Sequence, residues 1–180
     1  MLALIKVVQL IANTCGAFFT VLLLMRFFMQ WFRAPFDDPI GGFVLHLTNW
    51  MVLPLRRIVP AIRGFDSASL LAAWLLQTAL LALLVALSSF YDLFQIGTLL
   101  AIAANGLLVL ARMTLYLFIL LLIAQAMLSW FNPRAPLNRL VGQMTAPILR
   151  PLRRIVPPIS GIDLTPLIAI LLAQIILIFV

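Results

Sequence analysis

Three stretches of this chain, about Ile5–Phe32, Ala68–Tyr91 and Leu93–Phe131, run on apolar residues with almost no charge. A helix needs about 20 such residues, with a range of roughly 17–25, to cross the hydrocarbon core of a bilayer. All three reach that length, and a fourth run, Leu164–Val180, barely does. Of the 180 residues, 65% are hydrophobic and 9% charged, and mean hydropathy is +1.20. A soluble domain carries roughly 25% charged residues. This chain therefore lacks the polar surface to cover itself, and its solvent is largely lipid. The amino-terminal run is too long for a cleaved secretory signal, has only Lys6 as early charge and ends in no small-x-small site. It reads as a retained membrane helix.

The second constraint is a repeat. Pro-Leu-Arg-Arg-Ile-Val-Pro stands at Pro54–Pro60 and again at Pro151–Pro157, 97 positions apart. Trp31-Phe32 matches Trp130-Phe131, Leu47-Thr48 faces Met144-Thr145, Gly64-Phe65-Asp66 faces Gly161-Ile162-Asp163, and Gln77 faces Gln174. Arg26 aligns with Gln125 and Asn13 with Arg112. Each unit reads as helix, basic loop, helix. By itself the long run Leu93–Phe131 fits either one helix plus an interfacial segment or two spans, and the repeat selects one span starting near Ala104. The expected organisation is a first unit over 1–91, a connector over 92–103 and a second unit over 104–180.

Charge distribution tests that organisation. Twelve Lys and Arg face five acidic residues, for a net charge of +7, and eleven of the twelve are Arg. Arg33, Arg56, Arg57 and Arg63 fall in the first loop, and Arg134, Arg139, Arg150, Arg153 and Arg154 in the second. With two spans per unit both loops lie on one side, which is then the cytoplasm, and both termini lie outside. A fifth span would throw five arginines to the far side. Arginines placed in loops between apolar runs point to anionic headgroups rather than nucleic acid. The expected fold is an all-α membrane protein of two duplicated helical hairpins, with four transmembrane helices.

The repeated motif has its own physical reading. At about 100° per residue, Ile148, Leu149, Leu152, Ile155 and Val156 share one side of a helix, while Arg150, Arg153 and Arg154 share the other. The first copy sets Met51, Val52, Leu55, Ile58 and Val59 against Arg56 and Arg57. Such a basic amphipathic helix lies in the membrane surface with its guanidinium groups among phosphates. Thr145 is placed to cap the second copy, Pro54 and Pro151 to kink or interrupt their helices, and Pro60 and Pro157-Pro158 to end them.

Asp66 and Asp163 precede spanning helices and suit a helix cap or an ion pair with the neighbouring arginines. Gln77 and Gln174 lie near mid-span, where a carboxamide seeks a partner across helices. A cation or proton site at the aspartates, or a polar path past the glutamines, is the sharper alternative. Arg26 and Arg112 lie near helix ends and can snorkel. Cys15 reads as a small buried side chain, lone His46 as structural, Asp37-Asp38 as a turn between prolines, and Ala12, Gly16 and Thr20 as a stripe for close helix packing. There is no Glu, no Gly-rich phosphate loop and no metal-ligand cluster. The expectation is therefore a non-enzyme without catalytic residues, metal or cofactor.

Leu140, Met144-Thr145, Pro147, Pro151-Leu152-Arg153-Arg154, Pro157, Gly161, Asp163 and Thr165-Pro166 form a pattern that resembles the YggT family of bacterial integral membrane proteins. The first unit departs from it, with Trp50 at the first Pro and Ser67-Ala68-Ser69 for the helix-starting Ser/Thr-Pro. The resemblance implies links to osmotic or ionic stress tolerance, to cell-division gene neighbourhoods and, in plastids, to maturation of a b-type cytochrome and nucleoid placement. It brings no catalytic residues. Two functions follow as expectations. One is a scaffold or assembly factor whose loop arginines Arg56, Arg57, Arg150, Arg153 and Arg154 contact anionic lipid or a protein partner. The other is an ion or osmolyte transporter with Gln77, Gln174, Asp66 and Asp163 near its path, helped by homo-oligomer formation.

Overall fold

The computed structural model describes residues 2–59, 65–88, 95–131, 137–156 and 163–180. Every regular element among them is a helix: α1 (Leu2–Trp31), α2 (Pro39–Ile58), α3 (Ser67–Ser88), α4 (Ile96–Phe131), α5 (Leu137–Ile155) and α6 (Thr165–Phe179). Three of these, α1, α3 and α4, are long and apolar enough to cross a membrane. At about 1.5 Å per residue, α4 reaches some 54 Å and exceeds a hydrocarbon core of about 30 Å, whereas the 15 residues of α6 span about 22 Å.

Small residues and aromatic rings set the packing. A Cβ on Gly16 would stand 2.1 Å from Leu80 Cδ1, so the bare backbone lets α1 and α3 close together. The contacts Gln77–Thr20 and Phe65–Trp31 make the two helices antiparallel. Gly106 of α4 lies against Thr78 and Trp74 in the same way, and Trp74 Nε1 donates to the Ala103 carbonyl at 3.1 Å. Phe28 meets Phe118 edge-to-face at 4.9 Å, joining α1 to α4 within a core of Leu23, Leu24, Met29, Leu117 and Leu121. Helix α6 packs on α4 and α5, as α3 packs on α1 and α2.

Several expectations change. The stretch 96–103, read as part of a connector, is the start of α4. It contains no proline and can lay Ile102 on α3, so nothing ends the helix there. Pro54, Pro147 and Pro151 sit inside α2 and α5 without interrupting them. All three are exposed. Because α5 starts at Leu137, Thr145 is mid-helix, and its hydroxyl donates back to the Val141 carbonyl at 2.8 Å rather than capping. Cys15 is exposed, not buried. Pro60, Arg63, Gly64, Arg134, Pro157, Pro158, Gly161 and the connector residues 92–94 lie outside the described residues.

The apolar sides of α2 and α5 are spent partly on protein, while Ile58 and Ile155 at their ends stay exposed. Val44, Thr48 and Val52 of α2 and Leu140, Val141, Met144, Thr145 and Leu149 of α5 are buried in the bundle. The outward stripes differ. On α2, Phe43, His46, Trp50, Leu53 and Arg57 face away from the bundle, mostly apolar. On α5 the outward stripe includes Arg139, Arg150, Arg153 and Arg154.

Candidate functional site

Each basic helix is latched to the start of the following helix by an arginine–aspartate pair. In the first latch, Arg56 in the last turn of α2 donates through Nε to Asp66 Oδ1 at 3.2 Å and through NH2 to Oδ2 at 2.7 Å. This fork-on-carboxylate geometry is available to arginine and not to lysine. The same NH2 reaches Gln30 Oε1 at 3.1 Å, and Ser69 Oγ donates to Asp66 Oδ2 at 2.5 Å. In the second latch, Arg153 Nε donates to Asp163 Oδ2 at 2.9 Å, with NH2 at 2.7 Å. Asp163 Oδ1 accepts from the Thr165 amide at 3.0 Å and its hydroxyl at 2.5 Å, an Asx-type start for α6. The ion pair expected for the aspartates occurs at both, and Asp163, one residue before the N-cap Leu164, also accepts from the Thr165 amide.

The first latch holds a second cation. Arg26 of α1 is 2% exposed and Asp66 is fully buried, with Arg26 Nε 3.4 Å from Asp66 Oδ2. That Nε has charge attraction without an aligned hydrogen bond. Its NH1 donates to Thr48 Oγ1 at 2.8 Å and Asn49 Oδ1 at 3.0 Å. Arg26 does not snorkel: α2 folds over it and supplies polar partners, which the bilayer core would not. At the aligned position of α4 stands Gln125, which donates to Asn138 Oδ1 at 3.2 Å and keeps a buried, unbonded Oε1. Two arginines therefore serve one aspartate in the first latch, and one serves one in the second.

Burial pushes the Asp66 carboxyl up, but hydrogen bonds from Arg56 and Ser69 and the charges of Arg56 and Arg26 outweigh it. The net result lies below the ordinary carboxylate value. Burial likewise raises Asp163, and the Thr165 hydroxyl and amide together with Arg153 bring it below that value. Both are carboxylates at neutral pH, held as anions for their arginines.

The remaining sequence candidates are dispersed. Arg57, Arg150 and Arg154 are exposed, as is His46. Gln77 is buried and donates to Thr20 Oγ1 at 2.8 Å, joining α3 to α1 as expected. Gln174 departs from its repeat mate: it is exposed on α6, although α6 packs on α4 and α5. Arg112 is exposed and donates to the Val180 carbonyl at 2.6 Å. Asp37 and Asp38 do form the bend before α2. The residues that sequence reasoning missed are Gln30, Thr48, Asn49 and Ser69. Thr48 carried a signal, being repeated as Thr145, but its role as an arginine acceptor needed the fold. Among the described residues no group of His, Cys, Asp or Glu could hold a metal ion.

What these elements can do chemically is fix basic helices rigidly and present guanidinium groups. Fold and latches together define a class: an all-helical protein with three helices long enough to cross a membrane and basic helices carried between its long helices. A profile of the CCB3/YggT family matches residues 2–87 and 104–180. Uncharacterized protein YggT of Escherichia coli K12 is 34% identical over 165 residues, covering 91% of this chain and 84% of that protein. An uncharacterized protein of Pseudomonas aeruginosa is 32% identical over 168 residues, covering 92% and 84%. Another from Vibrio alginolyticus is 32% identical over 163 residues, covering 87% and 83%. No solved structure matches. The chain belongs to the CCB3/YggT family.

Proposed function

We propose that this protein is a non-enzymatic scaffold of the bacterial inner membrane, built from two duplicated hairpins, whose basic helices bind anionic lipid headgroups on the cytoplasmic side. Helices α1, α3, α4 and α6 span in this reading, and both termini lie outside. The carrying observation is the outward arginine stripe of α5 on a helix latched through Arg153 to Asp163. A cation row held by the bundle keeps its geometry, so lipid phosphates meet an ordered surface rather than a floating loop. Each such arginine near an anionic surface contributes about 1 kcal/mol. The outward face of α2, with Trp50, Phe43 and Leu53, suits the headgroup–acyl boundary. Equivalent packing of α3 on α1 and α2, and of α6 on α4 and α5, supports the duplication.

The transport alternative draws less support. Asp66 is occupied by two arginines, Gln77 by Thr20, Asp163 by Arg153 and Thr165, and Gln174 faces outward on α6. Three of these four groups are thus engaged by protein partners.

Two measurements test the proposal. With Cys15→Ser as background, single cysteines at Arg57→Cys and Arg154→Cys should both be labelled from the cytoplasmic side. Labelling from opposite sides refutes the hairpin arrangement. In reconstituted protein, spin-labelled phosphatidylglycerol should be retained over phosphatidylcholine, and Arg139→Gln with Arg150→Gln and Arg154→Gln should remove the preference. Wild-type protein without any preference, or with potassium flux in proteoliposomes, would overturn the scaffold reading.

A further inference from the structure

A cleft of about 450 Å³ opens where the end of α1 meets α5, lined by Phe32, Arg33, Gln143, Ala146, Pro147 and Arg150. Its size falls in the range of small-ligand sites. No acidic residue lines it, and neither Arg33 nor Arg150 has a carboxylate partner among the described residues. Arg56 and Arg153, by contrast, are each matched to an aspartate.

Arg33 also stands in an unusual backbone. Its φ is 54°, the left-handed region that favours glycine. It closes α1 in a Schellman turn, with the Arg33 amide donating to the Gln30 carbonyl at 3.2 Å and the Ala34 amide to the Met29 carbonyl at 2.8 Å. Glycine makes this turn without the Cβ penalty. A cation complements the carbonyl end of a helix equally well from the last turn, where the backbone is right-handed. Complementing the dipole therefore does not account for an arginine at this point. Projecting a guanidinium group into the cleft does.

The third polar group is Gln143, whose Oε1 is buried and has no hydrogen-bond partner among the described residues. Turned over, the same carboxamide presents its NH2 to an acceptor. Two guanidinium groups without a carboxylate partner and an amide donor, in a lining shared with Phe32 and Pro147, match a phosphate group, whose oxygens accept only.

We infer that the cleft between α1 and α5 is a phosphate-binding site, with Arg33 and Arg150 as its cationic ligands and Gln143 as a neutral donor. This deepens the proposed binding of anionic headgroups by locating one discrete site, and it rests on that reading. The phosphate arrives either on a lipid or free, and the recognition chemistry is the same.

The test uses the full chain purified in detergent and native mass spectrometry or calorimetry. One arm titrates short-chain phosphatidylglycerol and the other inorganic phosphate. Arg33→Gly and Arg150→Gln should each weaken binding ten-fold or more, the scale of a lost charge-assisted contact. Arg139→Gln and Arg154→Gln, on the stripe but outside the cleft, should each weaken it measurably less than either cleft variant, and Lys6→Gln at the far end of α1 should change it less than two-fold. Arg33→Gly relieves the left-handed strain and should melt at or above wild type, so its loss of binding does not reflect misfolding. Saturation by the lipid alone assigns the site to a headgroup, and saturation by inorganic phosphate with the same variant pattern assigns it to the free ion. Equal loss in all four arginine variants overturns the discrete site while leaving a diffuse lipid-binding surface. Wild-type protein that binds neither probe overturns the site, and its indifference to phosphatidylglycerol overturns the lipid-binding reading too.

Discussion

Replacing Asp66 with Asn should be the most damaging single change in the latches. Asp66 is fully buried, Arg26 is 2% exposed, and the carboxylate is the anion that both Arg26 and Arg56 share. Removing one member of a buried ion pair strands its partner's charge, at about 3–5 kcal/mol. Arg56 is 36% exposed and can turn to water, so Arg26 carries most of that penalty. Asp163→Asn makes the comparison. Arg153 is 49% exposed, so the lost pair is a surface one, and with the weakened helix start the cost is about 1 kcal/mol. Adding Arg26→Gln to Asp66→Asn copies the Gln125 arrangement of α4 and removes the stranded charge. The double variant should recover about 2 kcal/mol relative to Asp66→Asn alone. The assay is SDS-induced unfolding in mixed micelles, followed by tryptophan fluorescence. If both aspartate variants cost the same, or if the double variant is no better than Asp66→Asn, the reasoning about Arg26 fails.

Further outcomes follow from the same geometry. Because the folded-state values of Asp66 and Asp163 lie below their unfolded ones, their stabilisation is complete above about pH 4 and lost as pH falls through the folded values. Melting temperature should thus be flat from neutral pH to about 5 and drop below about 4, less steeply in Asp66→Asn. Adjacent glycines of α2 should respond in opposite ways. A Cβ on Gly41 would lie 2.7 Å from the Phe36 backbone and one on Gly42 meets nothing, so Gly41→Ala should cost about 1–3 kcal/mol. Gly42→Ala should add about 0.5–1 kcal/mol of stability, and thermal melts of the pair decide this. Gln77→Leu should destabilise by about 0.6 kcal/mol through the lost Thr20 bond, while Gln174→Leu should be neutral or stabilising in the same SDS titration.

Apolar run length and the repeated Pro-Leu-Arg-Arg motif made the membrane class, the family and the helix–basic loop–helix order legible without coordinates. These are local properties: a run of apolar residues reports its solvent whatever it packs against. The pairing of Arg56 with Asp66 and Arg153 with Asp163 was half legible, since each pair is ten residues apart around a loop. The rest depended on what tertiary packing brings across the sequence. Arg26 read as a snorkelling residue because it lies near a helix end, yet it meets Asp66 forty positions away once α2 folds over α1. Gln77 and Gln174 are equivalent in sequence and differ in burial: Gln77 meets Thr20 of α1, while Gln174 is exposed on α6. The apolar sides of α2 and α5 read as facing lipid, but the bundle covers Val52 and Leu149 while Ile58 and Ile155 stay exposed. Hydrophobic burial is non-directional, so the sequence shows that a side is apolar and only the packed bundle decides which part of it meets protein.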